Sequence, residues 1–116
     1  METKYFFKDE KHVKLYRNFR RMINDRNSEE YDSAVYLLAA VGKTIPASIF
    51  ESGIDFPELF QIGEVWSSGE KALLRLAATL FSTGTWQADI GDIFYHLDPE
   101  NCQVAIQALE IRYLCH

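Results

Sequence analysis

Apolar residues return at three- and four-residue intervals in four separate stretches of this sequence, and each stretch opens on a residue suited to a helix N-terminus. A chain patterned this way forms helices with one apolar stripe apiece, and such helices must pack on one another. The clearest stretch begins at Trp66-Ser67-Ser68-Gly69-Glu70, where Ser67 and Glu70 have the S-x-x-E spacing of a capping box. Ala72, Leu73, Leu76, Ala77, Leu80 and Phe81 follow on one face, and Gly84 marks the end. Asp9 suits the N-cap of a helix from Glu10 to Ile23. Its inner face carries Leu15, Tyr16, Phe19, Met22 and Ile23, its outer face Lys11, Lys14, Asn18 and Arg21, and His12 falls at the edge. A polar turn at Asn24–Asn27 leads to Ser28, which caps a second helix with Glu29 and Glu30 in its first turn and Ala34, Val35, Leu38 and Val41 inside; Gly42 suits its C-terminal end. Asp98 and Pro99 start the last helix, with Cys102, Ala105, Ile106, Leu109 and Tyr113 as its expected buried stripe.

The segments between are shorter. Ile45-Pro46 is expected to open a helical piece that ends near Glu51 and is stopped by Ser52-Gly53. Ile54–Pro57 is expected to be extended, because the residue before a proline disfavours the helical region. Pro57–Ile62 allows one or two helical turns, and Asp89–Leu97 a short helix with Ile90, Ile93, Phe94 and Leu97 inside. Short strands at Tyr5–Phe7 or Ile54–Phe56 are compatible with the pattern but not required by it. The expectation is one all-α domain over residues 1–116, a compact irregular bundle of four main helices plus short helices. A chain of 116 residues buries about two thirds of its unfolded surface, enough for a core without staples.

Charge narrows the function. Residues 1–26 hold eight bases and four acids, whereas residues 27–116 hold four bases and thirteen acids, for a net of −5 overall. Lys8, Lys11, Lys14, Arg17 and Arg21 form a basic stripe, but Asp9, Glu10 and Asp25 dilute it, and the acidic remainder argues against a general nucleic-acid binder. The longest apolar run, Ala34–Val41, is far short of a membrane span and contains Tyr36. Tyr5-Phe6-Phe7 is too short for a signal-peptide core. Cys102 and Cys115 fall in one expected helix, too far apart along it for a disulfide. These features together lead us to expect a cytoplasmic protein.

Four sets of residues are candidates for chemistry or binding. Ser67, Ser68, Gly69 and Lys71 sit where a helix start presents free N–H groups, an arrangement that holds phosphate or carboxylate. The segment is not a phosphate-binding P-loop, since Glu70 stands where that motif needs lysine, and Glu70 serves better as a cap. Asp92 and His96, four apart on a helix, make two of the three or four ligands a zinc site requires, with no third evident, so no metal or cofactor is assigned. Serines lack the G-x-S-x-G setting, and Cys102 reads as a small core residue, so no catalytic residue is assigned. The aromatic residues are the strongest set. Tyr5, Phe6, Trp66 and Trp86 lie in or beside expected loops, and exposed aromatics anchor protein interfaces. Packing that closes the ends of the bundle is their simpler use.

The Trp66-Ser67-Ser68-Gly69-Glu70 block, with Leu74-Arg75-Leu76-Ala77 and Leu80 after it, resembles a block in a family of small proteins from Gram-positive bacteria and their prophages, a family whose function is not assigned. Leu97-Asp98 with Asn101, Ala105 and Arg112-Tyr113 is similar too, as is Phe7…Asp9-Glu10…His12. The resemblance covers most of the chain. It implies a phage or prophage accessory protein of the bacterial cytoplasm, and small proteins of that kind often bind and inhibit a host protein, defence enzymes included. The leading expectation is therefore a non-catalytic protein that docks on a host partner. The alternatives are a small anion-binding domain using the helix start after Trp66, and a homo-oligomeric structural subunit.

Overall fold

The computed structural model describes residues 5–23, 28–43, 49–50, 53–82 and 84–114. The four main helices form as the spacing predicts: α1 (Glu10–Met22), α2 (Glu29–Val41), α4 (Ser68–Phe81) and α6 (Pro99–Tyr113). Among the described residues, two short helices, α3 (Phe56–Ile62) and α5 (Ile90–Tyr95), and a 3₁₀ turn at Gly63–Val65 accompany them. The protein is an all-α helical bundle, and its radius of gyration of 12.7 Å matches the roughly 13 Å of a domain this long.

Local capping explains where the helices begin. Each start has a side chain that accepts from the backbone three residues on: Asp9 from His12, Ser28 from Tyr31, Asp55 from Glu58, Ser67 from Glu70, Asp89 from Asp92 and Asp98 from Asn101. Helix α4 has the full capping box, with the Glu70 carboxylate accepting the Ser67 N–H. Helix α2 stops at Gly42, whose φ of 84° lies in the left-handed region that glycine enters without steric cost.

One helix departs from the single-stripe expectation. α2 lies against α1, α4 and α6, and all nine residues Ser33–Val41 are buried. It is the central rod of the bundle, and the unbroken run Ala34–Val41 is the sequence signal of that role. The buried Ser33 hydroxyl is satisfied within the helix, donating to the carbonyls of Glu29 (2.8 Å) and Glu30 (3.2 Å).

Several expectations fail locally. Ile49–Phe50 is not the end of a helical piece: it is a short strand, β1, paired antiparallel with β2 (Gly53–Ile54) in the register Ile49↔Ile54 and Phe50↔Gly53. The rest of that expected piece, the Asn24–Asn27 turn, Cys115 and His116 lie outside the described residues. Ile54–Pro57 is not extended throughout. Asp55 caps α3 and Phe56 begins it, with Pro57 in the first turn, where its missing N–H costs no helical bond. The buried stripe of α6 is Val104, Ala105, Ala108 and Ile111, about one residue out of phase with the expected one. Cys102 and Leu109 are half-buried, and Ile106 and Tyr113 are exposed. Apolar residues stand all round this helix, so sequence periodicity alone does not choose the inner face.

Residues 5–8, ahead of α1, are tied to α2 and α6. The Tyr5 hydroxyl donates to Asp32 (2.7 Å), the Phe6 N–H to the Gln107 side chain (2.8 Å) and the Lys8 ammonium to Asn101 (2.9 Å). The Tyr36 hydroxyl donates to the Phe6 carbonyl. The rings of Tyr5, Phe7, His12, Tyr16 and Tyr36 form one cluster, with centroids 4.7–6.5 Å apart.

Candidate functional site

Trp66 and Trp86 both settle on α3 and its 3₁₀ extension. Gly63 is buried beneath the Trp66 indole, and a Cβ there would stand 2.9 Å from the ring. Glycine thus lets the indole lie against the backbone. Trp86 packs on Phe60, with centroids 5.1 Å apart and planes inclined by 42°. Both tryptophans are half-buried, so the end-closing role accounts for much of each ring. Tyr5 and Phe6 are not brought to this region. Their hydrogen bonds hold them to α2 and α6, and their side chains are half-buried against the core.

Beside the tryptophans is a cleft of about 160 Å³ lined by Phe60, Gly63, Glu64, Lys71, Leu74 and Arg75. Lys71, Leu74 and Arg75 project from one face of α4 at helical spacing, while Phe60 and Gly63 form the opposite wall. Helix α5 closes the neighbourhood. The His96 carbonyl packs on Gly69 (3.1 Å from where a Cβ would stand), and Asp92 meets Arg75 at 3.3 Å, so α5 runs antiparallel along α4. This pairing sets Tyr95 at the same end of α4 as Val65. Val65 is 89% exposed and Tyr95 84%, the two most exposed of the large apolar side chains among the described residues. Ile62 and Ile90, on the elements beside them, are also exposed.

The helix start after Trp66 is already occupied from within. Ser67 and Glu70 exchange side-chain bonds with each other's backbone N–H, and the Glu70 carboxylate also pairs with Lys43 at 3.7 Å. Ser67 and Ser68 are exposed, Gly69 serves the packing of α5, and Lys71 turns toward the apolar cleft. An anion at Ser67–Gly69 therefore meets a carboxylate that already accepts the Ser67 N–H and opposes it by like charge.

Asp92 and His96 approach to 3.8 Å, but Asp92 is shared with Arg75, and the described residues include no group of three or more metal-ligating side chains. His12 is deeply buried rather than at an edge. Its Nδ1 accepts the Lys8 N–H (3.3 Å) and its Nε2 donates to the Tyr36 carbonyl (2.9 Å), a pairing that suits the neutral ring. Burial lowers its pKa to about 4, with the charge of Lys8 acting in the same direction and the Tyr36 bond and Asp9 opposing. Tyr16 is held above the ordinary tyrosine range by burial, then by its hydrogen bond to Asp32, so it remains a donor. Both ring nitrogens of His12 face backbone groups, and neither faces a hydroxyl or thiol nucleophile.

Phe60, Val65, Leu74 and Tyr95 are not among the binding candidates that the sequence offers, and Leu74 stands there only in the block that carries the resemblance. Tyr95 carried a usable signal, since it lies off the Ile90, Ile93, Phe94, Leu97 stripe of its own helix. Val65 follows Gly63-Glu64 and directly precedes Trp66 and the capping box, off any periodic stripe. Phe60 and Leu74 carried none, because only the packing of α3 against α4 leaves a gap between them. No protein-family model, curated protein or solved structure matches this chain.

Proposed function

We propose that this protein is a non-catalytic docking domain whose partner is a protein with a basic surface and a protruding apolar side chain. The observations that carry the reading are Val65 and Tyr95, both almost fully exposed at the N-terminal end of α4, and the apolar cleft between α3 and α4 that begins at Gly63 and Glu64, all within a strongly acidic segment. Residues 53–100 hold eight acids and two bases, and both bases, Lys71 and Arg75, line the cleft. An acidic surround speeds encounter with a basic partner and rejects acidic ones. The cleft suits one large apolar side chain, the arrangement of a small interface anchor. The resemblance to proteins of Gram-positive bacteria and their prophages points to a host protein as that partner, with inhibition of a defence or regulatory complex as the consequence.

The test is capture from a Gram-positive bacterial lysate by the wild-type chain and by a Val65→Glu/Tyr95→Ala double variant, with circular dichroism to establish that both are folded. We expect one stoichiometric basic protein on the wild type, reduced at least tenfold on the double variant. Equal capture by the two chains, capture of acidic proteins only, or no stoichiometric partner would overturn the reading.

A further inference from the structure

A second, larger cleft, of about 250 Å³, opens where the N-terminal ends of α1 and α4 meet the C-terminal end of α2. Its floor is the end of α2, at Ala39, Ala40, Val41 and Gly42, the first three of them buried. Lys8, Lys11 and Lys43 line it, together with Asp9, His12 and Glu70.

The two acids are already committed. An Asp9 oxygen accepts the His12 N–H (2.8 Å) as the cap of α1, and Glu70 caps α4 while pairing with Lys43. The cations are not similarly matched. Lys8 donates to the neutral Asn101 side chain, and among the described residues neither Lys8 nor Lys11 has an acidic group within ion-pair distance. Helix ends carry about half an elementary charge, positive at the two N-termini and negative at the one C-terminus that meet here. Added to three lysines and two carboxylates, these leave the cleft at about +1.5, in a chain whose net charge is −5.

We propose that this cleft is a binding site for a small phosphorylated molecule, with the phosphate held by the ammonium groups of Lys8 and Lys11 and the rest of the ligand lying over Ala39–Gly42. Lysine is a point-charge donor that suits a compact phosphate without fixing its orientation. The Lys43–Glu70 pair borders the same hollow, so a bound phosphate competes with Glu70 for Lys43 and is felt at the start of α4. This site is separate from the Ser67–Gly69 helix start, where the Glu70 carboxylate already accepts the Ser67 N–H.

The experiment is a titration of ¹⁵N-labelled full-length chain with inorganic phosphate and with ribose 5-phosphate, each against sodium chloride at matched ionic strength. Saturable amide shifts are expected over residues 8–12 and 39–43 with both probes, tighter for the sugar phosphate. Lys8→Gln/Lys11→Gln should weaken both at least tenfold, whereas Val65→Glu should leave them unchanged, which keeps this outcome apart from that of the docking face. Both lysines lie outside the core, so the variant is expected to fold, and its amide spectrum reports directly whether it does. Shifts that do not saturate, that chloride reproduces, or that centre on residues 67–71 would overturn the assignment.

Discussion

Acid should weaken this fold before its carboxylates titrate, and His12 is the reason. The ring is 1% exposed, and its Nδ1 accepts the Lys8 N–H, a bond that only the unprotonated nitrogen can make. Its pKa falls from 6.5 to about 4 in the folded chain, so between those values the unfolded chain binds a proton that the folded chain refuses. The folded state is then fully favoured above pH 6.5 and loses ground as pH falls toward 4. Each unit is worth 1.36 kcal/mol, so the loss is about 2 kcal/mol at pH 5 and about 3 kcal/mol at the lower limit. Urea unfolding followed by circular dichroism at pH 7.5, 6.5, 5.5 and 5.0 reads this directly, and His12→Gln supplies the control. The variant is expected to be less stable at neutral pH but to lack most of the decline. An NMR titration of the His12 ring protons should show no midpoint above pH 5. A midpoint between 6 and 7, or parallel stability profiles for the two chains, would refute the argument that burial holds this ring neutral.

Three further outcomes follow from the packing. Asp32→Ala removes the acceptor of the Tyr5 and Tyr16 hydroxyls and the carboxylate 3.7 Å from Arg20; chemical denaturation should show a loss of about 3 kcal/mol, and a loss under 1 kcal/mol would mean that water replaces the carboxylate. Gly42→Ala meets no atom within 4 Å, so its cost is conformational alone, about 1 kcal/mol from the positive φ as read by thermal melts, and Gly42→Asn should cost less. Ser67→Ala breaks one half of the capping box and should cost about 1 kcal/mol in the same melts, with α4 amide exchange quickening first at its N-terminal turn.

What the sequence determined by itself is what is decided within one helical turn. Asp9, Ser28, Ser67 and Asp98 marked helix starts correctly because a cap bonds only three residues ahead, and Gly42 marked an end because its left-handed backbone is a property of one residue. The four-helix count followed from the same short-range periodicity. Where several faces or partners were open, tertiary structure decided. Helix α6 has apolar side chains all round, and contact with α2 and α4 chose Val104, Ala108 and Ile111 over Ile106 and Tyr113. Ile49 joined a strand because Ile54 was there to pair with it. The burial of His12, the hollow over Ala39–Gly42 and the cleft between Phe60 and Leu74 arise where separate helices meet. Capping energies are local and therefore legible in order along the chain, whereas a cleft is the space left between surfaces that only the folded chain brings together.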